Sequence, residues 1–224
     1  MSKETLISEI SAIQTKLLFL HFKSVKINDN IRRVNSIDSL TLSVEELIKR
    51  KGETAYDIIE IISLFEGYNS LIKDIYNYKN VSKYLDKKIK IKLGNIQKIT
   101  SNWKHVRNKI GGHVDIEPIK EFCDNYNYNG VFISNNLEAD FKGILILQMI
   151  ESAINITLKK SKLFDSNLCL TNTEDLINLI EKINKDWYPC IILFQELSKF
   201  LNEIGKKDKL KIIDSNDIGL INFD

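Results

Sequence analysis

Proline is almost missing from this chain: only Pro118 and Pro189 occur in 224 residues. Glycine is scarce too, at 9 residues, so long stretches are free of the two residues that most disturb a helix. Cysteine is limited to Cys123, Cys169 and Cys190. Their odd number and wide spacing argue against a disulfide framework or a zinc site, and for buried free thiols in a reducing cytosol. No long apolar run is present. The early cluster Leu17 to Phe22 is interrupted by His21, is too short to span a bilayer and lacks a small-residue cleavage pattern after it. Neither a secretory signal nor membrane association is therefore expected, and the chain reads as cytoplasmic. A large excess of charge of one sign is also missing. The formal net charge is +2, with 43% apolar and 28% charged residues, a composition that excludes a disordered or strongly basic chain and fits a soluble globular protein.

What the chain does have is apolar residues at three- and four-residue spacing over most of its length, which predicts an all-α fold, a single helical bundle over residues 1–224. The first helix is expected over 3–27, with Leu6, Ile10, Ile13, Leu17, Leu20 and Val25 on its core stripe and His21 beside it as a partly buried histidine with a backbone partner. Ser43 and Glu46 form a capping-box pattern for a short helix to about Lys51, ended by Gly52. A long helix follows over 53–78, in which Gly67 marks a close approach of another helix. The next, over 81–99, either continues beyond Trp103 or restarts from Ser101 or Asn102. Pro118 suits the first turn of a further helix, and 131–134 reads as a short extended segment. The most apolar helix, over 137–160, is a central core helix or an oligomer face, and it carries Gln148 and Glu151. Helices over 173–183 and 189–204 complete the bundle, and the tail beyond them has no clear periodicity.

Charge is uneven along the chain. From Lys79 to Gly112 there are ten Lys or Arg against the single acid Asp86. Such a run can track a phosphate backbone; it can equally be a solvated helix face balanced by the acidic helix before it. It leads into WKHVRNKIGGHVD, Trp103 to Asp115, where Arg107, Asn108 and His113 crowd around Gly111 and Gly112. Two glycines inside a helix would cost on the order of 1 kcal/mol each relative to Ala. In a continuous helix His113 would stand about 120° around the axis from Arg107 and about 140° from Asn108. Gly111 at a left-handed position past the helix end, followed by Gly112, releases His113 from that register and lets it fold back toward Arg107 and Asn108.

An Arg beside a His suits phosphoryl chemistry. The guanidinium is a planar, permanently charged fork for phosphate, and imidazole exchanges a proton near neutral pH. Together they are equipped to cleave RNA by attack of a 2′ hydroxyl on its own phosphate, a reaction closed to DNA. Lys98, Lys104 and Lys109 are candidate RNA contacts from the same stretch, with Trp103 as a surface for a base or the Arg107 guanidinium to stack on, although a tryptophan at such a position is more often a core anchor. The same residues also read as an ordinary glycine-capped helix end, with Arg107 and Lys109 complementing the helix dipole and His113 in a solvated loop. His105, His113 and Asp115 are metal-compatible types, but they straddle a helix break and lack a fourth ligand, so no metal or other cofactor is expected.

The segment RNKIGGH resembles the motif of the HEPN superfamily, named for higher eukaryotic and prokaryotic nucleotide binding. In that family an Arg is followed by a polar residue such as Asn and, a few residues on, by a His. The resemblance implies a helical bundle of HEPN type over about 53–160, with the helix at 3–27 and the C-terminal helices at 173–204 added to it. It implies a metal-independent endoribonuclease, of the kind found in toxin–antitoxin and phage-defence systems, in which His113 is a general base, acid or phosphate ligand, Arg107 stabilises phosphate charge and Asn108 orients substrate or histidine. It further implies a homodimer whose protomers bring their motifs together, and an antitoxin protein as a partner. Gly111 and Gly112 depart from the bulkier residues common inside the family motif. Noncatalytic members that serve as interaction modules, among them partners of nucleotidyltransferases, leave a binding role open, as does RNA binding without chemistry.

Overall fold

The computed structural model describes residues 3–35, 44–110, 120, 124, 139–157, 163–208 and 210. Among these the chain is all-α, with seven helices: α1 (Lys3–Asn35), α2 (Val44–Asn77), α3 (Lys79–Ser82), α4 (Lys87–Asn102), α5 (Lys104–Ile110), α6 (Ala139–Thr157) and α7 (Thr173–Lys207). None of the described helices is long and apolar enough to cross a membrane. Pro118 and the extended segment expected at 131–134 lie outside the described residues, as does Ser43 of the capping box.

Helix α2 packs against every other helix, so it is the axis of the bundle. Its sequence explains this. Ile58, Ile61, Ile62, Leu64, Phe65, Tyr68, Leu71, Ile72 and Ile75 are all buried, which gives α2 apolar side chains on more than one face where a peripheral helix has a single stripe. The break expected at Gly52 does not occur. Gly52 lies within α2 and is buried, and the burial of Ala55, Ile58, Ile61 and Ile62 beyond it outweighs the roughly 1 kcal/mol that a glycine costs a helix. Gly67 does mark a close approach: a Cβ there would lie 2.5 Å from Leu20 Cδ2 of α1.

On α1 the buried stripe is Leu6, Ile10, Ile13, Leu17, Leu20, Ser24 and Ile27. Val25, expected in the core, is 44% exposed, and Ser24 takes its place. The reason is polar. Ser24 Oγ and Tyr68 Oη share a hydrogen bond of 3.0 Å, and Trp187 Nε1 of α7 reaches the same serine oxygen at 3.4 Å. Helix α1 also closes α3, because Glu9 accepts from the backbone N–H groups of Asn80 and Val81 at 3.0 and 3.2 Å and from the Asn80 amide at 2.8 Å. That carboxylate supplies the cap that Tyr78, at the head of α3, does not. His21 stacks on Phe194 with centroids 4.0 Å apart, and its buried Nδ1 has no hydrogen-bond partner, contrary to the expected backbone contact.

Helix α7 runs unbroken through Pro189, where two helices were expected. A proline removes one helical hydrogen bond, here in a turn whose Asn184, Lys185 and Tyr188 are exposed, so water can serve the orphaned carbonyl. Eleven buried residues, from Leu179 to Gly205, hold the helix in place on both sides of it. Asn172 caps its start by accepting from Glu174 N at 3.0 Å. The most apolar helix, α6, carries a line of buried or half-buried polar groups with a structural task. Asn155 donates to Leu168 O and accepts from Leu168 N, both at 2.9 Å, and Glu151 accepts from Leu170 N at 2.6 Å. These side chains take over the backbone pairing of the segment that leads into α7. Of the described cysteines, Cys190 is buried as expected, whereas Cys169 is exposed and meets Thr171 at the surface.

The core carries a pH dependence. Burial pushes the Tyr68 phenol up from 10.0 to about 12, against the lowering effect of its Ser24 hydrogen bond, and burial with the nearby Asp186 charge pushes the Cys190 thiol up from 9.0 to about 12. Both groups are neutral in the fold, and both would ionise at lower pH in the unfolded chain. Their contribution to stability is complete below the unfolded pKa values and is lost as pH rises toward the folded ones. The melting temperature is therefore expected to fall as pH rises from 9 to 12, followed by circular dichroism. Cys190→Ala and Tyr68→Phe should each flatten that fall; an unchanged slope in both would contradict the assignment.

Candidate functional site

The site is built on the short helix α5, and its placement begins with how α4 ends. Asp86 starts α4 by accepting from Ile89 N at 2.7 Å. Toward the other end Thr100 and Ser101 turn their hydroxyls back on the carbonyls of Ile96 and Lys98, at 2.9 and 2.8 Å, a local bonding that weakens a helix. Trp103 is the break itself. Its N–H bonds to Thr100 O at 3.3 Å, and its carbonyl accepts from Arg107 N at 2.9 Å to begin α5. Of the two readings left open, a helix continuing beyond Trp103 or one restarting from Ser101 or Asn102, the helix does restart, but later than either residue: α4 runs through Asn102 and α5 begins at Lys104, with Trp103 at the junction.

Trp103 is fully buried. Its ring stacks on Phe65 of α2 at 5.6 Å, and its Nε1 donates to Asp186 Oδ2 of α7 at 2.8 Å. The same carboxylate oxygen receives Lys182 Nζ at 2.5 Å. Of the two readings of Trp103, the base-stacking surface is thereby corrected and the core anchor holds: the indole is enclosed because its apolar ring gains more from Phe65 and the core than from solvent, and because Asp186 satisfies its N–H.

With Trp103 fixed, Val106 and Ile110 bury the inner face of α5, which packs against α2 and α6. The outer face is then determined. Lys104, His105 and Asn108 are exposed, and Arg107 and Lys109 are half-exposed. Arg107 Nη1 donates to Asn108 Oδ1 at 2.8 Å. That contact orients the guanidinium at the surface and uses one of its five N–H donors, which leaves the fork able to grip a phosphate. Lys98 is exposed on the preceding helix, so Lys98 and Lys104 both stand where a polyanion can reach them. The structure therefore brings Arg107 and Asn108 together. Gly111, Gly112 and His113, with Asp115, lie outside the described residues.

Two features of this region escape a reading by periodicity. Asp186 occupies a position in the stripe Leu179, Ile183, Trp187, Cys190 that should be apolar, and an acid there was the available signal for a buried donor. The second is the surroundings of Tyr84. This side chain donates to Asp208 Oδ2 at 2.5 Å, a bond that raises its own pKa, and draws the ammonium groups of Lys83 and Lys207 to 4.8 and 5.4 Å from its ring centre. Nothing in sequence spacing joins residues 84 and 207.

The chain matches no protein-family model, no curated protein and no solved structure. The likeness of RNKIGGH to the HEPN motif accordingly stands on its residues and on the helical setting in which Arg107 and Asn108 are found.

Proposed function

We propose that the protein is a metal-independent endoribonuclease of HEPN type, acting as a cytoplasmic toxin or phage-defence effector. The observation that carries this reading is the oriented Arg107–Asn108 pair on the outer face of α5, five residues of chain before His113 in the case of Asn108 and following a helix with no acid in it. In the proposed reaction a 2′ oxygen attacks the adjacent phosphorus, its proton passing to a base. The bond from phosphorus to the 5′ oxygen breaks, and that oxygen takes a proton from an acid. The products are a cyclic 2′,3′-phosphate and a free 5′ hydroxyl. His113 is the group suited to the proton transfers, and Arg107 to the charge that grows on the phosphoryl oxygens. The active assembly in this reading is a homodimer that pairs two motifs, and an antitoxin protein would hold it in check.

The test is cleavage of RNA in EDTA by the wild type, Arg107→Ala and His113→Ala, with the ends of the products identified. A wild type that leaves varied RNAs intact, or three proteins of equal activity, would remove the catalytic reading. One observation favours a second reading, a noncatalytic HEPN-like interaction module, such as a partner of a nucleotidyltransferase. Leu18, Phe19 and Phe22 of α1 are 57%, 59% and 68% exposed, an apolar surface of the sort that binds proteins. In that case His113→Ala would leave partner binding intact.

A further inference from the structure

Helix α1 has two contrasting faces. Its inner stripe, with Ile10, Ile13, Leu17 and Leu20, is buried in the bundle. On the opposite side Leu18, Phe19 and Phe22 are among the exposed large apolar residues. The charges of α1 are turned away from that outer side. Between Glu4 and Lys26 they are Glu9, Lys16 and Lys23. Glu9 accepts from the backbone at the start of α3, Lys16 donates to Asp74 and Ser70 of α2 at 2.5 and 2.8 Å, and Lys23 meets Glu60 of α2 at 3.5 Å. The outer sector from Ser8 to Phe22 therefore contains neither an acid nor a lysine.

That sector is divided along its length. Its N-terminal half is small, with Ser8, Ser11, Ala12 and Thr15 all exposed, and its C-terminal half is the bulky set of Leu18, Phe19 and Phe22. At 100° per residue these seven fall within about 120° of the helix surface, with Thr15 at the centre. Glu4 and Lys26, both exposed, stand in the same sector beyond its two ends. The pattern is complementary to itself when reversed. About a two-fold axis at Thr15, Phe22 meets Ser8 of the partner subunit, Phe19 meets Ser11 of the partner subunit, Leu18 meets Ala12 of the partner subunit, and Glu4 meets Lys26 of the partner subunit. Bulk lies on small residues and an acid on a cation, whereas a parallel pairing would set Phe22 on its own copy and Glu4 on its own copy. A lipid surface fits less well, because half of the sector is hydroxyls and alanine, and Lys16 and Lys23 are tied to α2.

We propose that the outer face of α1 is a homodimer interface, in which two copies of the chain pair this helix antiparallel about Thr15. From Glu4 to Lys26 the face is about 33 Å long, and its exposed side chains offer on the order of the 600 Å² per partner that the smallest stable interfaces bury. The interface is independent of the ribonuclease reading. Helix α1 packs on α2, α3 and α7, whereas α5 packs on α2, α4 and α6, so the surface involved is not that of Arg107.

The test is sedimentation equilibrium of the full chain over about 0.1–100 μM, with circular dichroism to confirm the fold of each variant. The wild type is expected to dimerise. Phe22→Glu, a change at an exposed position, should raise the dissociation constant at least about 30-fold. The ends of the face report the direction of pairing. Glu4→Lys and Lys26→Glu should each weaken the dimer several-fold at low salt, because each sets like charges together at both ends, and Glu4→Lys/Lys26→Glu should restore it. A wild type that stays monomeric throughout would overturn the interface, and so would a dimer as tight in Phe22→Glu as in wild type. The second result would leave a dimer built on the α5 motif standing, to be judged by RNA cleavage. A dimer lost in Phe22→Glu but not restored by the double charge exchange would overturn the antiparallel arrangement. A monomer that binds phosphatidylserine vesicles, and loses them in Phe22→Glu, would overturn the homodimer in favour of a lipid surface.

Discussion

Trp103→Ala is expected to remove about 3–5 kcal/mol of stability, enough to consume much of the roughly 5–15 kcal/mol that a domain has in total. The size follows from what the indole holds together. It is fully buried, it fills space against Phe65 of α2, and it supplies one of the two donors to Asp186 on α7. Truncation leaves a cavity where three helices meet. It also leaves the Asp186 carboxylate, 6% exposed, with Lys182 alone. Trp103→Phe separates the two effects: it keeps most of the ring and loses the N–H, for an expected cost of about 1–3 kcal/mol. Urea unfolding followed by circular dichroism measures both. A Trp103→Ala midpoint within about 0.5 kcal/mol of wild type would show that the anchor at the α4–α5 junction does not exist as described, since that is the range of ordinary surface substitutions.

The same residue shows what was legible in the sequence. The approach of another helix at Gly67 and the exposed cations Lys98 and Lys104 follow from local patterns, because close packing and solvation are decided within a few residues, whereas the same patterns left open whether the helix breaks near Trp103 or runs on. The fate of the Trp103 ring was decided elsewhere, by Phe65 and Asp186, which lie 38 and 83 residues away. Tertiary partners also explain the other departures. Gly52 and Pro189 read as helix ends, yet each sits in a helix whose buried side chains on both sides offset a local cost of about 1–3 kcal/mol. Ser24 displaced Val25 from the core because Tyr68 and Trp187 were waiting for a hydroxyl. The candidate site divides in the same way. That Arg107 and Asn108 stand side by side was legible, because they are adjacent in sequence. The convergence of Tyr84, Lys83 and Lys207 was not, since it joins the two ends of a fold.

Arg107→Ala is expected to lower RNA cleavage by about 10²–10³-fold, the effect of withdrawing one well-placed group from a developing oxyanion. Folding should hardly change. Arg107 lies on the outer face of α5 and its described side-chain partner is its neighbour Asn108, so stability within about 0.5 kcal/mol of wild type is expected. That contrast separates a chemical role from a structural one, and it is the reverse of the pattern at Trp103. Arg107→Lys refines the test. A lysine keeps the charge and loses the planar fork, so RNA affinity should survive better than the cleavage step if the guanidinium acts on the reacting phosphate. Asn108→Ala should act more weakly, by about 10-fold, through loss of the oxygen that now orients Arg107 at 2.8 Å. The measurements are single-turnover cleavage in EDTA and, separately, binding of uncleavable RNA. Equal losses in binding and cleavage across Arg107→Ala, Arg107→Lys and Asn108→Ala would assign the pair to anchoring the strand, with chemistry elsewhere or absent. A loss confined to cleavage places Arg107 against the phosphate that reacts.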